Sequence, residues 1–103
     1  MLSLKTVFAT LKSVCQAQFL RTEDASEAGY LLHRFRLCDD LDIIVRFNLE
    51  TNLVDEVESV DELDWDNDRV IFGCFLASEA DLIAFVLKAI KRQLRSRLFP
   101  EGK

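Results

Sequence analysis

Few groups in this chain could do chemistry, and their spacing limits what each could do. His33 is the only histidine, and Cys15, Cys38 and Cys74 are the only thiols. A histidine beside a cysteine can act as base and nucleophile. Here alternation along the segment holding His33 puts Cys38 on the opposite parity, and no cysteine sits at a helix start or beside a cation that would lower its pKa. Structural zinc sites use close cysteine pairs, and these three are far apart. His33 is therefore expected as a core histidine with a hydrogen-bonded tip. No metal or other cofactor is expected.

Asp64, Asp66 and Asp68 place carboxylates at alternate positions, which is how a calcium loop opens, because a hard cation needs several oxygens from one turn. The match then fails. The sixth loop position should be Gly and the twelfth Glu, and the chain has Arg69 and Phe75 there. The sequence also lacks a glycine-rich phosphate loop, a nucleophile elbow and a zinc-protease helix motif, so no enzymatic activity is expected.

Charge is the strongest anomaly. The net charge is −5, yet the window from Asp39 to Asp68 holds 12 of the 18 acidic residues and a single basic one, Arg46, for −11; the remainder sums to +6. A one-sided field of this kind steers a partner of opposite charge. The expected binding residues are Asp55, Glu56, Glu58, Asp61, Glu62, Asp64, Asp66 and Asp68, with Trp65 as the aromatic anchor. Lys88, Lys91, Arg92, Arg95 and Arg97 crowd the end of the chain, but the net acidity and the lack of interleaved aromatics argue against nucleic acid.

The elements that position these groups follow from hydrophobic period. Leu4, Val7, Phe8, Leu11, Val14, Cys15 and Phe19 predict a helix from about Ser3 to Phe19, with Ser3 as N-cap. The polar stretch Arg21 to Gly29 reads as a connection. The period then changes to two. Leu31, His33, Phe35 and Leu37 predict one strand, and Leu41, Ile43, Val45, Phe47 and Leu49 the next, with Asp39 and Asp40 between them as a turn. Leu53 to Val60 fits a bulged strand or a short helix, and its β-branched content favours the strand. Val70 to Leu76 reads as a central strand. Ser78 caps a final helix whose apolar residues are Leu82, Ile83, Phe85, Val86, Ala89, Ile90 and Leu94.

Short turns force antiparallel pairing, so the expected fold is a two-layer α+β sandwich of order αββββα, with three to four strands and both helices on one face. The other face would carry Tyr30, Leu32, Ile44, Ile71 and Phe75 among Arg34, Arg36 and Arg46. That mixture suits a homodimer interface or a docking surface.

At 103 residues and 50% hydrophobic content, with 3 Gly and 1 Pro, the chain is long enough for one domain with a real core. No apolar run reaches the roughly 18 residues of a membrane span. An odd number of scattered cysteines suits free thiols in the cytoplasm. The expectation is a small acidic, non-catalytic protein-binding module of the inhibitor, immunity or secretion-chaperone kind, recognising a basic partner. The alternative is a ligand-binding regulatory or catalytic domain with a pocket near His33.

Overall fold

Ser3 starts the first helix because its hydroxyl accepts a hydrogen bond from the Thr6 amide at 3.2 Å, satisfying a donor that a helix start leaves bare. Helix α1 runs Leu4–Ala9 and continues as a wider π turn over Thr10–Val14. The computed structural model describes residues 2–61, 70–74 and 77–98, with side chains at all of these except 61, 70–74, 96 and 97. The predicted helix therefore stops short of Phe19. Gln16 adopts a left-handed backbone (φ 55°) and reverses the chain, and the Ala17 amide donates to the Leu11 carbonyl at 2.8 Å.

Gln18–Ala25 then forms a strand, β1, where a helix end and a connection were expected. Two physical reasons account for the correction. Phe19 fits the helical period, but as a strand residue it sits opposite Phe35, with its ring 5.4 Å from those of both Phe8 and Phe35. Moreover, β1 lies at the sheet edge, where only one side is hydrogen-bonded, so Arg21, Thr22 and Asp24 can stay exposed.

A short 3-10 turn, Ser26–Ala28, and Gly29 in the left-handed region (φ 91°) lead into β2, Tyr30–Cys38. There follow β3, Leu41–Asn48; β4, Leu53–Asp61; β5, Val70–Cys74; and α2, Glu79–Leu98. The β2–β3 turn uses Asp40 at φ 66° and the β3–β4 turn uses Asn52 at φ 58°, conformations that Asp and Asn tolerate better than most residues. All neighbours pair antiparallel in the order β1-β2-β3-β4-β5, so among the described residues β5, expected as a central strand from its apolar run, lies at the edge opposite β1. The α+β class, the antiparallel sheet and the helices at both ends are as expected, and β1 adds a strand ahead of the predicted four. The segment from Leu53 is a strand, and its bulge falls where Asp55 is the extra residue between the pairs Arg46↔Glu56 and Phe47↔Val54.

The core lies between one sheet face and the two helices. Val7 and Leu11 from the N-terminal helix and Leu82, Phe85, Val86 and Ala89 from α2 cluster with Phe35, Leu41, Ile43, Val45, Val54 and Val57. Burying each such side chain contributes about 1.5–3 kcal/mol. Ser78 caps α2 by accepting from the Asp81 amide at 3.2 Å, while the Asp81 carboxylate accepts from the Ala77 amide at 3.1 Å. Further along, the buried Gln93 ties α2 to the β2–β3 turn. It accepts from the Cys38 thiol and donates to the Asp39 carbonyl, each at 3.3 Å. Among the described residues, no helix is long and apolar enough to cross a membrane.

Candidate functional site

Alternation assigns each strand residue to a face. The helix-facing side takes His33, Phe35, Ile43 and Val45, all buried. The side turned away from the helices takes Arg21 and Glu23 from β1, then Tyr30, Leu32, Arg34 and Arg36 from β2. It also takes Asp42, Ile44, Arg46 and Asn48 from β3, and Asp55, Glu56 and Glu58 from β4. Tyr30, Leu32 and Ile44 are half-buried there, as the mixed composition predicts. Ile71 lies in β5 with its side chain outside the described residues, and Phe75 lies outside them altogether.

Among the described residues, two ion networks occupy this second face besides the exposed Arg21–Glu23 pair. The first centres on Asp42, which is fully buried. Nε of Arg34 donates to its Oδ2 at 2.6 Å, and Nε of Arg36 donates to its Oδ1 at 2.8 Å. Burial by itself would raise the Asp42 pKa, but the two guanidiniums outweigh it and hold the carboxyl below the usual range. Asp42 therefore belongs to the acidic window by sequence but is neutralised within the sheet. The two-residue turn at Asp39 and Asp40 fixes the register that sets Arg36 opposite Asp42. Opposite charges of matching parity across a short turn were the signal for this pair.

The second network centres on Arg46. Its Nε donates to Asp55 at 2.9 Å, its Nη2 pairs with Glu56 at 2.9 Å, and its guanidinium carbon lies 4.6 Å from the centre of the Tyr30 ring. Asn48 adds a hydrogen bond to Asp55 at 3.2 Å. The side chains of Asp55 and Glu56 are 13% and 21% exposed. Desolvation raises the Glu58 pKa, as does its carboxyl neighbour Glu56, against a smaller opposing pull from Arg46. The β4 column thus carries three carboxyls around one arginine.

Asp61 ends β4 with its side chain outside the described residues, and Glu62, Asp64, Trp65, Asp66 and Asp68 lie outside them entirely. The structure brings Asp55, Glu56 and Glu58 together with Tyr30, Leu32 and Ile44 on one face, so residues expected to form two sites share a single surface.

His33 occupies the opposite face as a core residue. Its Nδ1 shares a hydrogen bond of 2.8 Å with the Thr22 hydroxyl, and its buried Nε2 has no partner among the described residues. The rings of Phe8, Phe19 and Phe47 stand 5.3, 6.4 and 6.3 Å away, and this burial lowers its pKa. Its hydrogen-bonded neighbour is thus Thr22 rather than a cysteine. Burial raises the Cys15 pKa, which makes that thiol less reactive. Among the described residues, no three His, Cys, Asp or Glu side chains converge as a metal site.

Comparison of the chain with protein-family models, curated proteins and solved structures yields no match.

Proposed function

We propose that this protein is a non-catalytic protein-binding module that docks a basic partner on the sheet face turned away from its helices. One observation carries the reading. Asp55, Glu56 and Glu58 line β4; Arg46 pairs with the first two, and Glu58 stands beside the carboxyl of Glu56 with its pKa raised. Among the described residues this column sets three carboxyls against one arginine, and a lysine or arginine from a partner supplies further counter-charge. Tyr30, Leu32 and Ile44 next to this column supply apolar contact, so charge guides approach and apolar burial retains the partner. The ligand-binding alternative near His33 is less favoured, because phenylalanine rings fill the space beside the imidazole. Cys15 and Cys38, neither in a disulfide among the described residues, suit a reducing compartment, and the cytoplasm is the proposed location.

The test is affinity capture with partner identification, comparing wild type, Glu58→Lys, Ile44→Asp and the helix-side control Lys91→Glu. The expected result is a captured protein with a basic surface, retained by wild type and Lys91→Glu and lost with both sheet-face variants. Equal capture by all four overturns the proposal.

A further inference from the structure

Strand β1 is an edge whose outward backbone groups have no strand beside them among the described residues. Such an edge is a template for a further strand. Proteins ordinarily guard it with charge, above all lysine, which repels a second copy. Here β1 instead carries unlike charges, Arg21 and Glu23, on either side of Thr22. Both lie on the face turned away from the helices, with side chains 56% and 40% exposed. Their ion pair within the strand engages a single carboxylate oxygen: Nε and Nη2 of Arg21 both donate to Oε1 of Glu23, at 3.2 and 3.1 Å.

We propose that β1 pairs with β1 of a second copy of the chain, antiparallel, about a two-fold axis at Thr22 and perpendicular to the sheet. Geometry leaves few registers. A perpendicular axis keeps the helices of both copies on one side, so residues opposite each other must share a face, and each register is centred on one residue that meets its own copy. Centring on Arg21 sets arginine against arginine, and centring on Glu23 or Asp24 sets acid against acid. Centres nearer either end run into the bulge at Leu20 or the turn at Ser26. Centring on Thr22 sets Arg21 opposite Glu23 of the second copy and Glu23 opposite its Arg21.

The four charges then alternate in sign around the axis, and the second Glu23 oxygen is available to the other copy's arginine. Cross-strand neighbours stand about 5 Å apart, so this pairing follows directly from the ladder. The ladder runs over residues 20–24 of both copies and is limited at each end by the bulge at Leu20. It is small for a specific interface, so association belongs to the high micromolar range. The two sheets become one, with their outward faces on the same side, which sets two β4 carboxyl columns about 30 Å apart for a partner with two basic sites. The pairing itself uses the strand edge and does not depend on the sheet face binding anything.

The test is sedimentation equilibrium of the full chain from micromolar to millimolar concentration, with hydrogen exchange to locate the contact and far-UV circular dichroism as a control for folding. The apparent mass is expected to rise from 11.9 kDa towards twice that value, and β1 amides, unlike those of β3, to gain protection with concentration. Arg21→Glu makes both charged positions acidic, and Glu23→Arg makes both basic. Each is expected to weaken self-association roughly tenfold or more. An equal mixture of the two variants should associate again, because each presents the charge the other lacks. A chain that stays monomeric throughout, a dimer whose β1 amides gain no protection, or folded single variants that associate as wild type does overturns the proposal. So does a mixture of the two variants that stays monomeric.

Discussion

Nε of Arg34 lies 2.6 Å from Oδ2 of Asp42, and that carboxylate is fully withdrawn from solvent. Arg36 takes the other oxygen, so a single buried anion fastens β2 to β3 from two positions. Removing it leaves two arginines, 12% and 37% exposed, without their anchor. Asp42→Ala is expected to cost about 3 kcal/mol, the scale for breaking a buried ion pair. Urea unfolding with a two-state fit measures this, and a change below about 1 kcal/mol contradicts the role given to Asp42.

The same carboxylate sets an acid limit. Its folded pKa is below its unfolded one, so its contribution is present above the ordinary Asp range and is lost as pH falls through the depressed value. Wild type should lose more stability than Asp42→Asn when pH is lowered from 5 towards 2. Parallel unfolding curves for the two proteins across that range would contradict this.

His33 acts at milder acidity. Its pKa is lowered by burial, so the unfolded chain takes up a proton first and stability falls as pH drops below the ordinary histidine value of about 6.5. His33→Leu should remove this slope between pH 7 and 5. Thr22 is exposed, so its hydroxyl can turn to water and little is lost at pH 7. Thermal melts at several pH values decide, and an unchanged slope in His33→Leu assigns the effect elsewhere.

Glu58 has the opposite sign for a carboxyl. Its folded pKa is raised, so the native state holds the proton more tightly and stability declines as pH rises through that raised value. Glu58→Gln removes the like charge beside Glu56. It should stabilise the protein at pH 7 by a few tenths to about 1 kcal/mol, on the scale of cross-strand charge effects. Destabilisation by this variant would mean that Glu58 is satisfied by a cation.

Phe35 tests the edge strand. It is fully buried, and its ring meets Phe8 at 4.8 Å and Phe19 at 5.4 Å, linking α1, β1 and β2. Phe35→Ala should cost about 3–5 kcal/mol. Hydrogen exchange should show β1 amides losing protection before those of β3. Uniform loss across the sheet would indicate that β1 is not the element this ring holds.

Period and parity in the sequence were enough to place β2, β3 and α2, because each has a long apolar alternation or stripe and nothing competes with it. The facial assignment of His33, Phe35, Ile43 and Val45 followed from the same parity. The segment around Phe19 was ambiguous for a physical reason: one aromatic four residues after Cys15 satisfies both periods, and the deciding contacts, with Phe8 and Phe35, are not local. Polar residues in β1 hid a strand whose outer side is unpaired among the described residues.

Local sequence likewise concentrated acid in the middle of the chain, and that much needed no coordinates. Whether a given carboxylate looks outward depends on what the register puts across from it, since strand pairing sets charges side by side that are six to ten positions apart. Asp42 and Asp55 are claimed by arginines in this way, whereas Glu58, set across from Ile44, has Glu56 of its own strand as its charged neighbour. The apolar stripe of α2 was readable as amphipathic, but only packing divided it, because one sheet face can cover one side of a helix and leaves Leu87 and Leu94 in water.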